Sequence, residues 1–206
     1  MGASERDEFL RAAWRTLVAG EAGIDAERLA ERLVFVDEMG ANISLAPIHA
    51  WSRRGERAYL SAPRNRGKNT TLLASMSSKG MGPTLAVQGG TNKAVFEAYV
   101  ERVLGPTLGT GQVVVMDNLS AHKGEEVREL IEARGCEVLF LAAYSPDYNP
   151  IEEAFSKIKG LLRKAQARTR EALIEALGEA ISAVTAGDAR GFFEHCGYRR
   201  VGQLLW

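Results

Sequence analysis

Cysteine is nearly absent. Among 206 residues there are two, Cys136 and Cys196, far apart and in no CxxC pair. That count and spacing exclude a disulfide framework and a cysteine-built zinc site, and both thiols read as small core residues in a reducing cytoplasm. Net charge is missing too, because 26 Lys and Arg balance 26 Asp and Glu. The chain as a whole therefore has no pull on a polyanion, and any case for nucleic acid rests on where the charges sit. No apolar run approaches the ~20 residues that span a bilayer. The N-terminus has no apolar signal core, and "MGASER" carries Arg6 where a myristoylation signal requires Ser or Thr. A soluble cytoplasmic protein without a membrane partner is the expectation. Repeats and low-complexity segments are absent as well.

What is present is ordinary globular material, 46% hydrophobic and 25% charged, enough for one full core with a helical extension. Helical spacing of Phe9, Ala12, Ala13 and Leu17 predicts a helix from Ser4 to about Ala19, capped by Ser4 with Asp7 as its partner. A short helix from Asp25 to Glu31 follows. "RLVFVDEMG" then reads as a buried strand. Residues 43–48 and 56–61 read as flanking strands around a "WSRRGE" turn, and "TTLLASMSSKGMGPTLAVQGG" as a hairpin.

"TNKAVFEAYVERVLGPTL" predicts a helix capped by Thr91 and stopped at Gly105-Pro106. "GQVVVMDN" is a buried strand, followed by a helix from Lys123 to Arg134 and the strand "EVLFLA". A long helix starts at Pro150, another covers Arg170 to Val184, and "ARGFFEHCGY" supplies a last short one. The order predicts a mixed α/β sheet with helices packed on it.

Two apolar strands run into aspartates, Asp37 and Asp117. Ligands of open α/β sheets gather beyond the carboxyl ends of strands, although Asp is also a common turn residue there. "YSPDYNPIEEAF" adds a third acidic position. Asn149 suits the cap of the long helix, Pro150 its first position, and Glu152 the position from which a capping box closes; Glu153 suits the helix dipole. Helical phase places Glu152 beside the buried stripe of Ile151, Phe155, Ile158 and Leu162, and Glu153 toward solvent. Asp37, Asp117 and Glu152 together form a hard-oxygen set suited to one or two divalent cations such as Mg²⁺. Two such ions about 3.5 to 4 Å apart serve phosphodiester cleavage and transfer.

"VFVDEMG", "VVVMDNLSAHK" and "YSPDYNPIEEAFSKIKG", in that order, resemble the catalytic domain of mariner-like DDE transposases, most closely the bacterial insertion-sequence branch. The resemblance covers about residues 33 to 197, and the last two motifs are the specific ones. Thirty-four residues separate Asp117 from Glu152, the spacing that superfamily uses. The resemblance implies a ribonuclease-H-like mixed five-stranded sheet with helices on both faces, DNA cleavage and joining with two Mg²⁺ or Mn²⁺ ions, and a triad at Asp37, Asp117 and Glu152. It also implies element ends and target DNA as partners, a homodimer on DNA, insertion at TA steps and a nucleoid-associated setting. Such transposases carry a substantial N-terminal helix-turn-helix region. Residues 1–32 read only as a helical lead-in to a catalytic domain over 33–206, so a separately encoded region is one expectation.

The charge pattern fits DNA locally. Arg53, Arg54, Arg57, Arg64, Arg66 and Lys68 stand against the single acid Glu56, and the long helix continues with Lys157, Lys159, Arg163, Lys164, Arg168 and Arg170. Both groups read as phosphate contacts, with a solvated loop and helix face as the alternatives. Trp51 stacks on a base or packs. Asn118 and His122 belong to the family's DNxxxH pattern, where His122 orients water or phosphate, or organises the turn with Ser120. His49 and His195 read as structural, and Phe140, Tyr144 and Tyr148 as packing around the motif loop.

Three rival readings carry different chemistry. A haloacid-dehalogenase-type phosphatase would use Asp37 as nucleophile, but its second acid position holds Met39. A ribonuclease-H-like nuclease or resolvase would cut without joining. A non-catalytic DNA-binding relic would keep the fold alone.

Overall fold

The computed structural model describes residues 7–18, 26–117 and 124–198. Ser4, Asn118, Ser120, His122 and Lys123, each assigned a part from the sequence, lie outside them. Five strands, β1 (Leu33–Ala41), β2 (Thr70–Ser77), β3 (Gly80–Gln88), β4 (Val113–Met116) and β5 (Glu137–Phe140), make one sheet in the order β3-β2-β1-β4-β5. β1 pairs antiparallel with β2, and β2 with β3. β4 runs parallel to both β1 and β5.

The apolar runs of β1 and β4 are buried on both faces, as central strands require. Phe35, Met39, Val113 and Val115 face one side; Val34, Val36, Val114 and Met116 face the other. The first side is covered by α5 (Pro150–Ala165), α6 (Arg170–Ser182) and α7 (Ala186–His195), with α1 (Glu8–Val18) and α2 (Ala26–Arg32) joining the same core. The second is covered by α3 (Lys93–Tyr99) and α4 (Glu125–Glu132). Helices on both faces of a mixed five-stranded sheet are what the sequence predicts.

Several expectations need correction. Residues 43–48 and 56–61 form no strands; the whole stretch from 42 to 69 is irregular apart from turns. β1, the strand they follow, is already paired on both sides by β2 and β4, and Pro47 and Pro63 weaken any ladder there. The inward face of α1 is also not the expected one. Phe9 is 81% exposed and Ala12 and Ala13 are exposed, whereas Arg11 and Trp14 are buried. Asp7 accepts the Leu10 N–H at 3.0 Å in the first turn.

Asn92, not Thr91, caps α3, its side chain accepting from the Val95 N–H. That helix does not stop sharply but widens into a π-helical turn over Val100–Leu104 and tightens into a 3₁₀ turn over Gly105–Thr107. Gly105 permits the passage, because a Cβ there would lie 2.8 Å from the Val100 carbonyl oxygen.

α7 is fastened to α5 at two points. Lys157 Nζ lies 2.6 Å from Asp188, which also closes a capping box with Thr185. The lysine and Thr185 together hold the Asp188 carboxyl well below the usual carboxylate range. One turn earlier on α5, Glu153 pairs with His195 Nδ1. That hydrogen bond, with the accompanying charge attraction, raises His195 above its usual 6.5. Beneath these contacts Phe193 meets Phe35 edge-on at 5.4 Å, and Tyr198 packs against both rings.

Two outcomes are expected. Phe193→Ala removes a ring that is 2% exposed and should cost about 3–5 kcal/mol in urea denaturation; a loss below about 1 kcal/mol would contradict the packing of α7 on the sheet. Because His195 is raised in the folded state, its pairing stabilises fully below its unfolded value and fades as pH rises through the folded one. Glu153→Gln should therefore lower the urea midpoint at about pH 5.5 and leave it unchanged near about pH 9.

Candidate active site

Asp37 is not at a strand exit. β1 runs on to Ala41 against β2, while its parallel partner β4 stops at Met116 opposite Val36. Asp37 and Asp117 are thus the next residues on two neighbouring parallel strands, at the point where one strand ends and the other continues. A crevice opens there, as such sheets dictate. It is a cavity of about 390 Å³, with Asp37, Asp117 and Glu152 all in its walls. The strands supply the two aspartates, and the first turn of α5 supplies the glutamate.

The segment 144–149 brings α5 to that position. Tyr144 takes a left-handed backbone (φ 54°), and Pro146–Tyr148 form a 3₁₀ turn that ends at Asn149. Asn149 does not cap α5 with its side chain. Its Nδ2 instead donates to Asp37 Oδ2 at 2.7 Å, and the residue is only 4% exposed. Asp37, 6% exposed, also accepts the Glu38 N–H on Oδ1 at 2.7 Å. A buried carboxylate needs such donors, so the sheet's demand displaces the capping box expected from sequence. Asn149 Oδ1 is left buried without a hydrogen-bond partner.

Glu152 and Glu153 go different ways. Glu152 is exposed and faces the cavity; Glu153 is half-buried against α7, at His195 and near Cys196. The sequence reading had Glu153 toward solvent, and α7 is the reason it is not. Burial, with Glu153 adding to it, pushes the Cys196 thiol up to about 12, so it is not a nucleophile at neutral pH. As the side chains stand, no group of three or more His, Cys, Asp or Glu among the described residues is gathered tightly enough to hold a metal ion. The three carboxylates share a cavity without yet sharing a ligand point.

The basic residues divide as well. Arg53, Arg54, Arg57, Arg64, Arg66 and Lys68 are all exposed on the irregular segment 42–69, together with Trp51. Lys159 and Arg163 are partly buried on α5, and Lys164 is exposed. Lys157 is occupied by Asp188. Arg168 is occupied too: its guanidinium donates to the carbonyls of Ile43 and Leu45 at 3.0 and 2.9 Å, anchoring the start of the basic segment to the body.

Sequence reasoning missed two residues. Asn149 has a visible signal, its place three residues before Glu152, but the signal reads equally as a cap. Arg11 has none. It is 3% exposed, donates to Ser145 Oγ at 2.7 Å and grips both carboxylate oxygens of Asp147 at 2.9 and 2.6 Å.

Among the described residues no helix is long and apolar enough to cross a membrane. Comparison with known proteins gives consistent matches. The Transposable element Tc1 transposase of Caenorhabditis elegans is 24% identical over 161 residues, covering 73% of this chain and 59% of that protein. The Mos1 Strand Transfer Complex is similar with a TM-score of 0.73 at 21% identity, over 95% of this chain and 60% of that one. The Mos1 mariner paired end complex with Mn gives 0.69 at 22% identity, over 91% and 58%. The chain thus spans about 60% of the length of these relatives, and their likeness establishes the ribonuclease-H-like fold. Residues 32–174 match the family described as DDE superfamily endonuclease, and the chain belongs to that family.

Proposed function

We propose that this chain is the catalytic core of a mariner-like transposase, which cleaves DNA at the ends of a mobile element and joins the freed 3′ end to target DNA. The observation that carries the reading is the shared cavity of Asp37, Asp117 and Glu152. Membership of an endonuclease family and likeness to the Tc1 and Mos1 proteins support it.

The donor set suits hard divalent cations. Three carboxylates border the cavity, and Asn149 Oδ1 adds a buried oxygen acceptor with no hydrogen-bond partner. Asp37, Asp117 and Glu152 are the residues that would hold two Mg²⁺ or Mn²⁺ ions. When bound, such ions supply an activated oxygen nucleophile and stabilise the leaving oxygen in line with it.

The chain's own residues do the rest. Asn149 fixes the rotation of Asp37, and the first turn of α5 presents Glu152 to the same cavity. The exposed cations Arg53, Arg54, Arg57, Arg64, Arg66 and Lys68, with Lys159, Arg163 and Lys164 on α5, take the phosphate backbone of element ends and target. Lys157 is a weaker candidate because Asp188 holds it. In this reading the working form is a homodimer on paired ends near the chromosome. A helix-turn-helix region, in the same or a separate polypeptide, reads the end sequence.

Labelled element ends and target DNA, incubated with Mn²⁺, test the proposal: a transposase yields joined products, a nuclease only cut ones. Asp117→Asn and Glu152→Gln should each remove about 3 kcal/mol or more of transition-state stabilisation, at least about a hundredfold in cleavage rate, while circular dichroism and Tm stay near wild type. Glu153→Gln should cut normally. Cleavage at the wild-type rate by Glu152→Gln would overturn the assignment.

A further inference from the structure

Arg11 lies outside the residues that match the family, 32–174, yet it is among the most buried charged groups described. Burying a guanidinium is a poor way to dock a helix, because a well-packed apolar residue does so at no smaller stability. What the planar fork adds is orientation. Here it takes hold of three side chains in one short segment. One nitrogen donates to Ser145 Oγ at 2.7 Å, the fork closes on Asp147 at 2.9 and 2.6 Å, and the guanidinium carbon lies 4.4 Å above the Tyr148 ring. Trp14, three residues on, donates to Tyr198 Oη at 3.1 Å, and that hydroxyl donates to the Tyr148 carbonyl at 2.6 Å. The next residue is Asn149, whose carboxamide orients Asp37.

We infer that α1 is a positioning element of the active site: Arg11 sets segment 145–149, and through Asn149 it sets the carboxylate of Asp37. One face of the segment is gripped by α1, and its last residue grips the sheet. Releasing the first grip lets Ser145 and Asp147 turn, and Asn149 follows because only the rigid Pro146–Tyr148 turn lies between. Arg11 touches no reacting atom. The inference rests on reading Asp37 as a metal-holding carboxylate.

Mn²⁺ titration calorimetry on the full chain tests it, at a temperature where circular dichroism shows every variant folded. Arg11→Met keeps the bulk and removes the fork; Asp147→Asn weakens the same contact at a residue whose side chain is half exposed and tolerant of change. Each should weaken Mn²⁺ binding by about tenfold, the scale of lost outer-sphere support. The double variant should be no worse than either single one. Ile131→Ala, destabilised on the far face of the sheet, should bind Mn²⁺ as wild type does.

Wild-type affinity in both Arg11→Met and Asp147→Asn would overturn the inference while leaving the proposed function intact. Equal weakening in Ile131→Ala would overturn it too, since the effect would then be general loosening. A wild-type chain that binds no Mn²⁺ would instead overturn the reading of Asp37, and the inference with it.

Discussion

A single hydrogen bond, from Asn149 Nδ2 to Asp37 Oδ2, joins the sheet to the entry of the long helix. Asp37 is held in a buried position by the antiparallel continuation of β1, and a buried carboxylate must find donors. Its own strand offers one, the Glu38 N–H. Asn149 offers the second by giving up the side-chain cap of α5, a sacrifice of about 1 kcal/mol. The helix start is secured by other means, with Pro150 in its first turn and two glutamates at its positive end. One of these glutamates faces the cavity, and the other fastens α7. The site and the packing of the helical layer are thus built on the same turn.

The second constraint is the unequal length of β1 and β4. Had β4 continued beyond Met116, Asp37 would sit inside a closed ladder with no crevice beside it. Because it stops, two aspartates from adjacent strands border open space. Opposite them, segment 144–149 is pinned from outside by Arg11 and Tyr198 and from inside by Asp37. The irregular segment 42–69, rich in cations, is moored by Arg168, which donates to the carbonyls of Ile43, Leu45 and Ser61, and at its end by the Gly89 N–H on the Asn69 carbonyl. Its length of exposed chain suits a surface that meets an extended, charged partner.

Much of this was legible in the sequence. The continuous apolar runs of β1 and β4 and the two acidic positions after them mark the centre of the sheet, and the turn residues before Pro150 mark the helix that faces it. The errors are local and have physical causes. Amphipathic spacing in α1 identifies a helix but the wrong face, because one of the two residues that turn inward, Arg11 beside Trp14, is an arginine and no hydrophobic scale counts it. Asn149 reads as a cap in the sequence because a cap and a carboxylate donor use the same side chain. Helical phase alone points Glu153 to solvent, because its partner, α7, arrives from much later in the chain. Residues 43–48 and 56–61 have strand-like composition, but a strand needs a neighbour, and pairing is settled by the sheet as a whole.

The account's central claim is that Asp37, Asp117 and Glu152 close around shared divalent ions. A crystal structure with Mn²⁺, read by anomalous scattering, tests this most directly. The account predicts manganese peaks in the cavity bonded to oxygens of all three carboxylates, with Asn149 still on Asp37. Manganese bound only elsewhere, with this cavity clear at saturating metal, would contradict it.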